Sequence, residues 1–338
     1  MGSHSGKLMR INRRSVLAGS ACSMAVLAMP PFAFASRQAE PLIWKGQALG
    51  APAKIILYHP DRERAQGLLR EAVREAERLE NIFSLYKTNS ELSRLNRAGA
   101  LAMPSPELVE LLTICRDYWT LSSGLFDPTI QPLWQCLYQH FSQADPSPSG
   151  PTRAQWDAAL KKVGFGHVLF NETRIAFAQP AMALTLNGIA QGFITDRVVS
   201  VLEKGGVKHG LVDMGEYRAI GTQPDGEPWR IGIAELESDR DPVDYLDISN
   251  QALATSSFAG FQFDEKGRFN HLLNPKTGYS SALYQHISVQ APSAAAADAW
   301  ATAFNLMEVP QIKAVAEKLP GLSVSIRTRE GRNIRLDS

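Results

Sequence analysis

Cysteine is scarce in this chain, with three in 338 residues. They stand at 22, 115 and 136 with no C-x-x-C and no Cys/His spacing, which excludes a zinc–thiolate site and a dithiol redox centre. An excess of either charge is missing too: 35 Lys and Arg face 34 Asp and Glu, for a net charge of +1. Aromatic residues make up 8% and form no cluster with arginine, so nothing electrostatic argues for nucleic acid as a partner. Internal repeats, coiled-coil heptads and low-complexity tracts are absent, apart from a run of alanines near residue 297. The apolar run at the N-terminus is about 18 residues long and carries paired prolines near its end, which argues against a permanent membrane anchor.

At 44% hydrophobic, the rest of the chain can bury a full core as one large or two small domains. Residues 1–35 read as a tag remnant (Met1 to Lys7) followed by a targeting segment, to be left out of the fold. Arg13-Arg14 ahead of the apolar run resembles a twin-arginine signal, with an ordinary secretory signal as the alternative. Ala33-Phe34-Ala35 is an A-x-A cleavage pattern, so the mature chain should begin at Ser36 and work in the periplasm. Cys22 falls in the signal and lacks a leucine three residues before it, so lipid attachment is not indicated. Cys115 and Cys136 could form one disulfide there; the preferred reading is two buried thiols.

Residues 36–338 are expected to form one functional unit, with a lobe boundary near 144–152, where Pro, Ser and Gly concentrate. Apolar residues recur at helical period over Arg62–Phe83 and again over Pro106–Leu121. Further helices are expected at 153–163, 189–203, 293–307 and 311–318. Strands are expected at 53–58, 229–234, 245–248 and 322–326, with a hairpin over 260–269 turning at 265–267. Helices and strands mix without βαβ alternation, which predicts an α+β fold rich in antiparallel sheet.

Chemistry concentrates late in the chain. Asp298 and Thr302 stand four apart in the alanine-rich helix and so share one face. A carboxylate and a hydroxyl suit a hard divalent cation such as Mg²⁺, which takes few protein ligands and all of them oxygen. The alternative is an Asp near a helix start and a Thr packed in the helix groove. Gly188 precedes another helix, whose N–H groups and dipole suit a pyrophosphate and whose neighbouring carbonyl could add an oxygen to the metal; a plain tight turn is the other reading. His271 is the best acid–base candidate, because imidazole titrates near neutral pH. A core histidine bonded near the Asn274-Pro275 turn is its alternative.

His271-Leu-Leu-Asn274-Pro275-Lys276-Thr277-Gly278 followed by Asp298-x-x-x-Thr302 is similar to the paired C-terminal motifs of the ApbE family, the FAD:protein FMN transferases. The resemblance extends through Phe83-Ser84-Leu85-Tyr86, Ser90 to Asn96, Gly124 to Thr129, Leu184 to Gly192 and Ala254-Thr255-Ser256, in the family's order over roughly residues 42–327. It implies the ApbE-like architecture, with FAD and metal between two lobes. It implies Mg²⁺ on the Gly188 carbonyl, Asp298 and Thr302, and catalysis at His271. FAD would lie against Tyr86, Leu125, Phe126, Asp127, Thr185, Gln191 and Leu272, with Leu49 at a further flavin contact. The implied reaction moves FMN from FAD to a Ser or Thr hydroxyl of a flavin-accepting protein and releases AMP.

Several positions depart from the family pattern. Gln191 stands where Lys is usual, Asn274 where Asp is frequent and Ser257 where the family has Gly. The Gly-Gly-Asp loop is replaced by Asp213-Met214-Gly215-Glu216-Tyr217-Arg218, and Leu49-Gly50-Ala51 replaces Met-Gly-Thr. That loop, with the twin-arginine signal, resembles the NosX branch, which serves nitrous oxide reductase maturation in denitrification; the implied acceptor there is a membrane-bound flavoprotein with a periplasmic flavin domain. Two other readings remain: a non-catalytic periplasmic FAD carrier, and an FAD pyrophosphatase in which water replaces the acceptor.

Overall fold

The computed structural model describes residues 40–234 and 242–337; the expected leader, 1–35, lies outside the described residues. The chain begins with β1 (Leu42–Ala48), β2 (Ala51–Tyr58), α1 (Arg62–Phe83), α2 (Glu91–Ala98), β3 (Ala100–Ala102), α3 (Pro106–Leu121), α4 (Gln131–Phe141) and α5 (Arg153–Leu160). It continues with β4 (Val168–Phe170), β5 (Arg174–Phe177), α6 (Ala190–Lys204), β6 (His209–Asp213), β7 (Tyr217–Ile220), β8 (Trp229–Ile233) and β9 (Asp244–Ile248). It closes with β10 (Ala252–Ser257), β11 (Tyr284–Ala291), α7 (Ala294–Phe304), α8 (Val309–Ala316), β12 (Ser323–Thr328) and β13 (Asn333–Asp337).

An eight-stranded sheet runs β1-β2-β6-β7-β10-β11-β12-β13, beside a three-stranded β3-β5-β4 and a β8-β9 ribbon. Every pairing is antiparallel, so the fold is α+β as expected. Helices α1, α6 and α7 pack in series against the large sheet, and the main core lies between. A second apolar cluster joins Ile56, Leu211 and Leu253 of that sheet to Trp229 and Ile231 of the ribbon. A third unites α4 and α5 through Leu133, Leu137 and Trp156, together with Leu273. Residues 144–152 carry no helix or strand and link those two helices.

Local chemistry explains the helix starts. Asp61 accepts the Arg64 N–H at the head of α1, and Ser105 accepts that of Leu108 before Pro106 opens α3. Both helices span the predicted residues. The alanines of α7 are nearly all buried, and their small size lets this helix lie close to α6, β10 and β11. The expected hairpin over 260–269 does not form as two strands: a single bridge, Gln262 to Asn270, is all that pairs. Asp264 is the reason. Its carboxylate accepts the Phe269 N–H and an Arg268 N–H, capping the loop from inside and competing with a ladder.

Candidate active site

A cleft of about 730 Å³ opens between the α2–α4 region, the loops carrying residues 185–188 and 271–275, and residues 254–256 of β10, with α7 along its floor. Among the predicted site residues, His271, Tyr86, Leu125, Phe126, Asp127, Thr185, Leu272, Gly188, Asp298 and Thr302 line it. Leu49 and Gln191 do not. Leu49 sits in the two-residue turn between β1 and β2 with a φ of 48° and packs on the main core. Gln191 is buried, and its side-chain amide lies against Gly215 of the 213–218 loop.

The candidate metal ligands meet because α6 and α7 cross closely at their N-terminal ends. At Gly192 an added Cβ would fall 2.3 Å from the Ala294 carbonyl oxygen, so only glycine permits the crossing. Asp196 on α6 accepts the Ala294 and Ala295 N–H groups at 2.8 and 2.9 Å, and Ser293 caps the Ala296 N–H. The start of α7 is therefore satisfied without Asp298. Asp298 instead reaches across to accept the Gly192 N–H at 3.2 Å, inside the first turn of α6, where Ile189 offers no side-chain cap. Gly188 lies directly over Thr302: a Cβ there would stand 2.9 Å from Thr302 Oγ1.

Buried acid surrounds this point. Glu216 lines the cleft at 2% exposure and Asp298 at 4%. Burial pushes both carboxyls well above the usual carboxylate range, and the charge of Asp298 raises Glu216 further. Asp213, the last residue of β6 and three positions before Glu216, is raised to about 7, again chiefly by burial. Such a cluster holds either protons or a cation. Among the described residues no group of three or more His, Cys, Asp or Glu is arranged to hold a metal. The set present, one carboxylate, one hydroxyl and a neighbouring backbone carbonyl, fits a hard cation that keeps most of its coordination for water and phosphate.

His271 lines the same cleft. Its Nδ1 lies 3.2 Å from the Phe261 carbonyl oxygen, and its backbone N–H donates to the same oxygen at 3.1 Å. Pairing with a carbonyl puts the proton on Nδ1 and the basic lone pair on Nε2. Asn274 forms the turn that follows, with Oδ1 accepting the Lys276 and Thr277 N–H groups. An aspartate would accept both bonds equally, which accounts for this departure from the family pattern.

The remaining cleft residues are held by a web of side-chain bonds. Asp127 accepts from the Thr129 N–H and hydroxyl on one oxygen and from Trp119 Nε1 and the Phe165 N–H on the other. Its carboxylate is committed inside the protein, so it holds the 125–129 segment in place. Thr185 donates its N–H to the Pro128 carbonyl and accepts the Asn187 N–H. Tyr86 hydrogen-bonds Asn187. Asn96 grips Leu184 through both its amide groups, at 2.8 and 2.7 Å, while Ser90 and Ser93 donate to the Ser84 carbonyl. The Ser90-to-Asn96 motif therefore fixes two of the cleft's loops.

Sequence reasoning did not identify Glu216 and Asp196, or Trp134 and Tyr138 of α4 on the cleft wall. The signal for Glu216 was a second acid close behind Asp213 in a largely apolar strand–loop–strand segment. Asp196 left none, since its partners are backbone groups ninety-eight and ninety-nine residues away.

The model of the ApbE family matches residues 49–326. A protein named FAD:protein FMN transferase from Vibrio cholerae is 28% identical over 305 residues, covering 87% of this chain and 90% of the relative. One of the same name from Chlamydia pneumoniae is 31% identical over 235 residues, covering 67% of this chain and 71% of its own. The structure of the flavin transferase ApbE from Vibrio cholerae superposes with a TM-score of 0.76 at 26% identity, covering 88% of this chain and 97% of that one.

Proposed function

The chain belongs to the ApbE family, and from that premise we propose that it transfers FMN from FAD to a Ser or Thr hydroxyl of a partner protein, with Mg²⁺, releasing AMP. The observation that carries this reading is the convergence of Gly188, Asp298 and Thr302 with His271 on one cleft. The acceptor oxygen attacks the phosphorus of the FMN half, the bond to the bridging oxygen breaks, and AMP leaves with that oxygen. His271 Nε2 takes the hydroxyl proton, and the Phe261 carbonyl steadies the imidazolium through Nδ1. Asp298, Thr302 and the Gly188 carbonyl would hold Mg²⁺. When bound, that ion offsets the pyrophosphate charge as the P–O bond breaks. Gln191, buried under Gly215, supports the Glu216 loop rather than supplying a cation to the phosphates.

The acceptor in this reading is a flavin-carrying domain in the periplasm, in a membrane-bound protein serving nitrous oxide reductase maturation. The leader delivers the enzyme there, folded, by the twin-arginine route. Replacing Arg13 and Arg14 by Lys should leave precursor in the cytoplasm; undiminished export would reject that route. The activity itself is tested by incubating the mature protein with FAD, Mg²⁺ and an acceptor domain and weighing the acceptor. Asp298→Asn keeps an oxygen for the Gly192 N–H and removes the charge, so it should fold and lose transfer by at least about 100-fold. AMP release without acceptor labelling would make the protein a pyrophosphatase. Tight FAD binding without AMP release would make it a carrier.

A further inference from the structure

One wall of the cleft is aromatic and takes no part in the chemistry above. Trp134 and Tyr138, one turn apart on α4, stack with centroids 5.0 Å apart and planes 12° from parallel. Trp134 is backed by Phe261 at 5.7 Å and Phe263 at 5.5 Å. Phe261 is the residue whose carbonyl holds His271, so this column of rings is built onto the histidine's own support. The buried face of α4 is Leu133 and Leu137, which fill the third apolar cluster. Trp134 and Tyr138 are half-buried and line the cleft. Among the described residues the Tyr138 ring meets no ring except Trp134.

A half-buried ring at the end of a stacked column offers a flat, polarisable face with little side-chain entropy left to lose. FAD brings two planar heterocycles, isoalloxazine and adenine. We propose that Tyr138, backed by Trp134, is the stacking platform for one of these two ring systems, and that it sets the position of the dinucleotide relative to His271. This rests on FAD being the substrate of the cleft.

The test compares the native protein with Tyr138→Leu and Tyr138→Phe, titrated with FAD, FMN and ADP in the presence of Mg²⁺. Tyr138→Leu should weaken FAD binding by on the order of ten- to a hundred-fold, and Tyr138→Phe should restore it. A loss for FMN but not ADP assigns the isoalloxazine ring to the platform; a loss for ADP but not FMN assigns adenine. Flavin fluorescence gives an independent reading, since an isoalloxazine stacked on Tyr138 and Trp134 is quenched and should brighten in Tyr138→Leu. Unchanged affinity for all three ligands in a folded Tyr138→Leu overturns this inference alone. Failure of the native protein to bind FAD removes the transferase reading, and the platform with it.

Discussion

Gly188→Ala is the sharpest probe of the proposed cation site, because the structure says what the extra methyl meets. The added Cβ would stand 2.9 Å from Thr302 Oγ1, 3.3 Å from its Cγ2 and 3.5 Å from its Cβ. Gly188 is not among the residues with positive φ, so alanine strains the space and not the backbone. The neighbour that must yield is a β-branched side chain in the last turn of α7, with few rotamers to choose from. Relief by rotation or by a small shift of the 186–189 turn costs about 1–3 kcal/mol. The consequence for chemistry is larger: displacing Thr302 Oγ1 by about 1 Å costs on the order of 100-fold in rate. The variant should therefore melt a few degrees lower, at most, while transfer falls about 100-fold and the Mg²⁺ needed for half-maximal rate rises. FMN transfer followed by mass, over a Mg²⁺ series, reads both effects. Adding Thr302→Ser removes Cγ2 and opens a further rotamer, so the double variant should recover part of the rate. Native transfer by Gly188→Ala with an unchanged Mg²⁺ requirement would refute the placement of the cation between these residues.

Gly192→Ala should fail differently, since its Cβ would meet only backbone of α7, at 2.3–2.7 Å; a loss of at least about 3 kcal/mol is expected in denaturant titration, and a stably folded variant would contradict the close crossing. Asn274→Asp should keep both turn bonds, change stability by no more than about 0.5 kcal/mol and leave transfer intact; a collapse of activity would give Asn274 a role its hydrogen bonds do not suggest. His286, buried in β11 beside Arg327 and Asp244, has its pKa lowered from 6.5 to about 4 by burial first and Arg327 second. It is neutral when folded and protonates on unfolding, so stability is whole above pH 6.5 and falls by up to roughly 3 kcal/mol as pH drops toward 4. The raised carboxyls, such as Asp213, act in the opposite direction, so the measurement is the difference between native protein and His286→Leu in urea from pH 7.5 to 4. A difference that does not vary with pH would refute the assignment.

Much of the α1–α3 region was legible locally. Arg62–Phe83 and Pro106–Leu121 carry their own periodicity and caps, and the structure keeps both spans. Asp298 and Thr302 were legible as a pair because four residues along a helix is a fixed displacement. The strands β6, β7, β10 and β11 were not: they are buried on both faces, and so lack the alternation that marks a half-buried strand. The 260–269 loop misled for a related reason, since its alternation reflects rings packed on Trp134 and not a paired ladder.

By itself the sequence determined the α+β class, the family, and the residue types of the site, because each rests on short-range spacing or on motif order. Tertiary structure alone decided which of those residues share a cleft. It took Leu49 and Gln191 out of the lining and brought in Glu216, Trp134 and Tyr138. It also gave the capping of α7 to Asp196, freeing Asp298 for the cleft. These outcomes depend on contacts between segments some hundred residues apart, set by how closely α6 can approach α7. No local pattern records that distance; the size of the side chains at the crossing does.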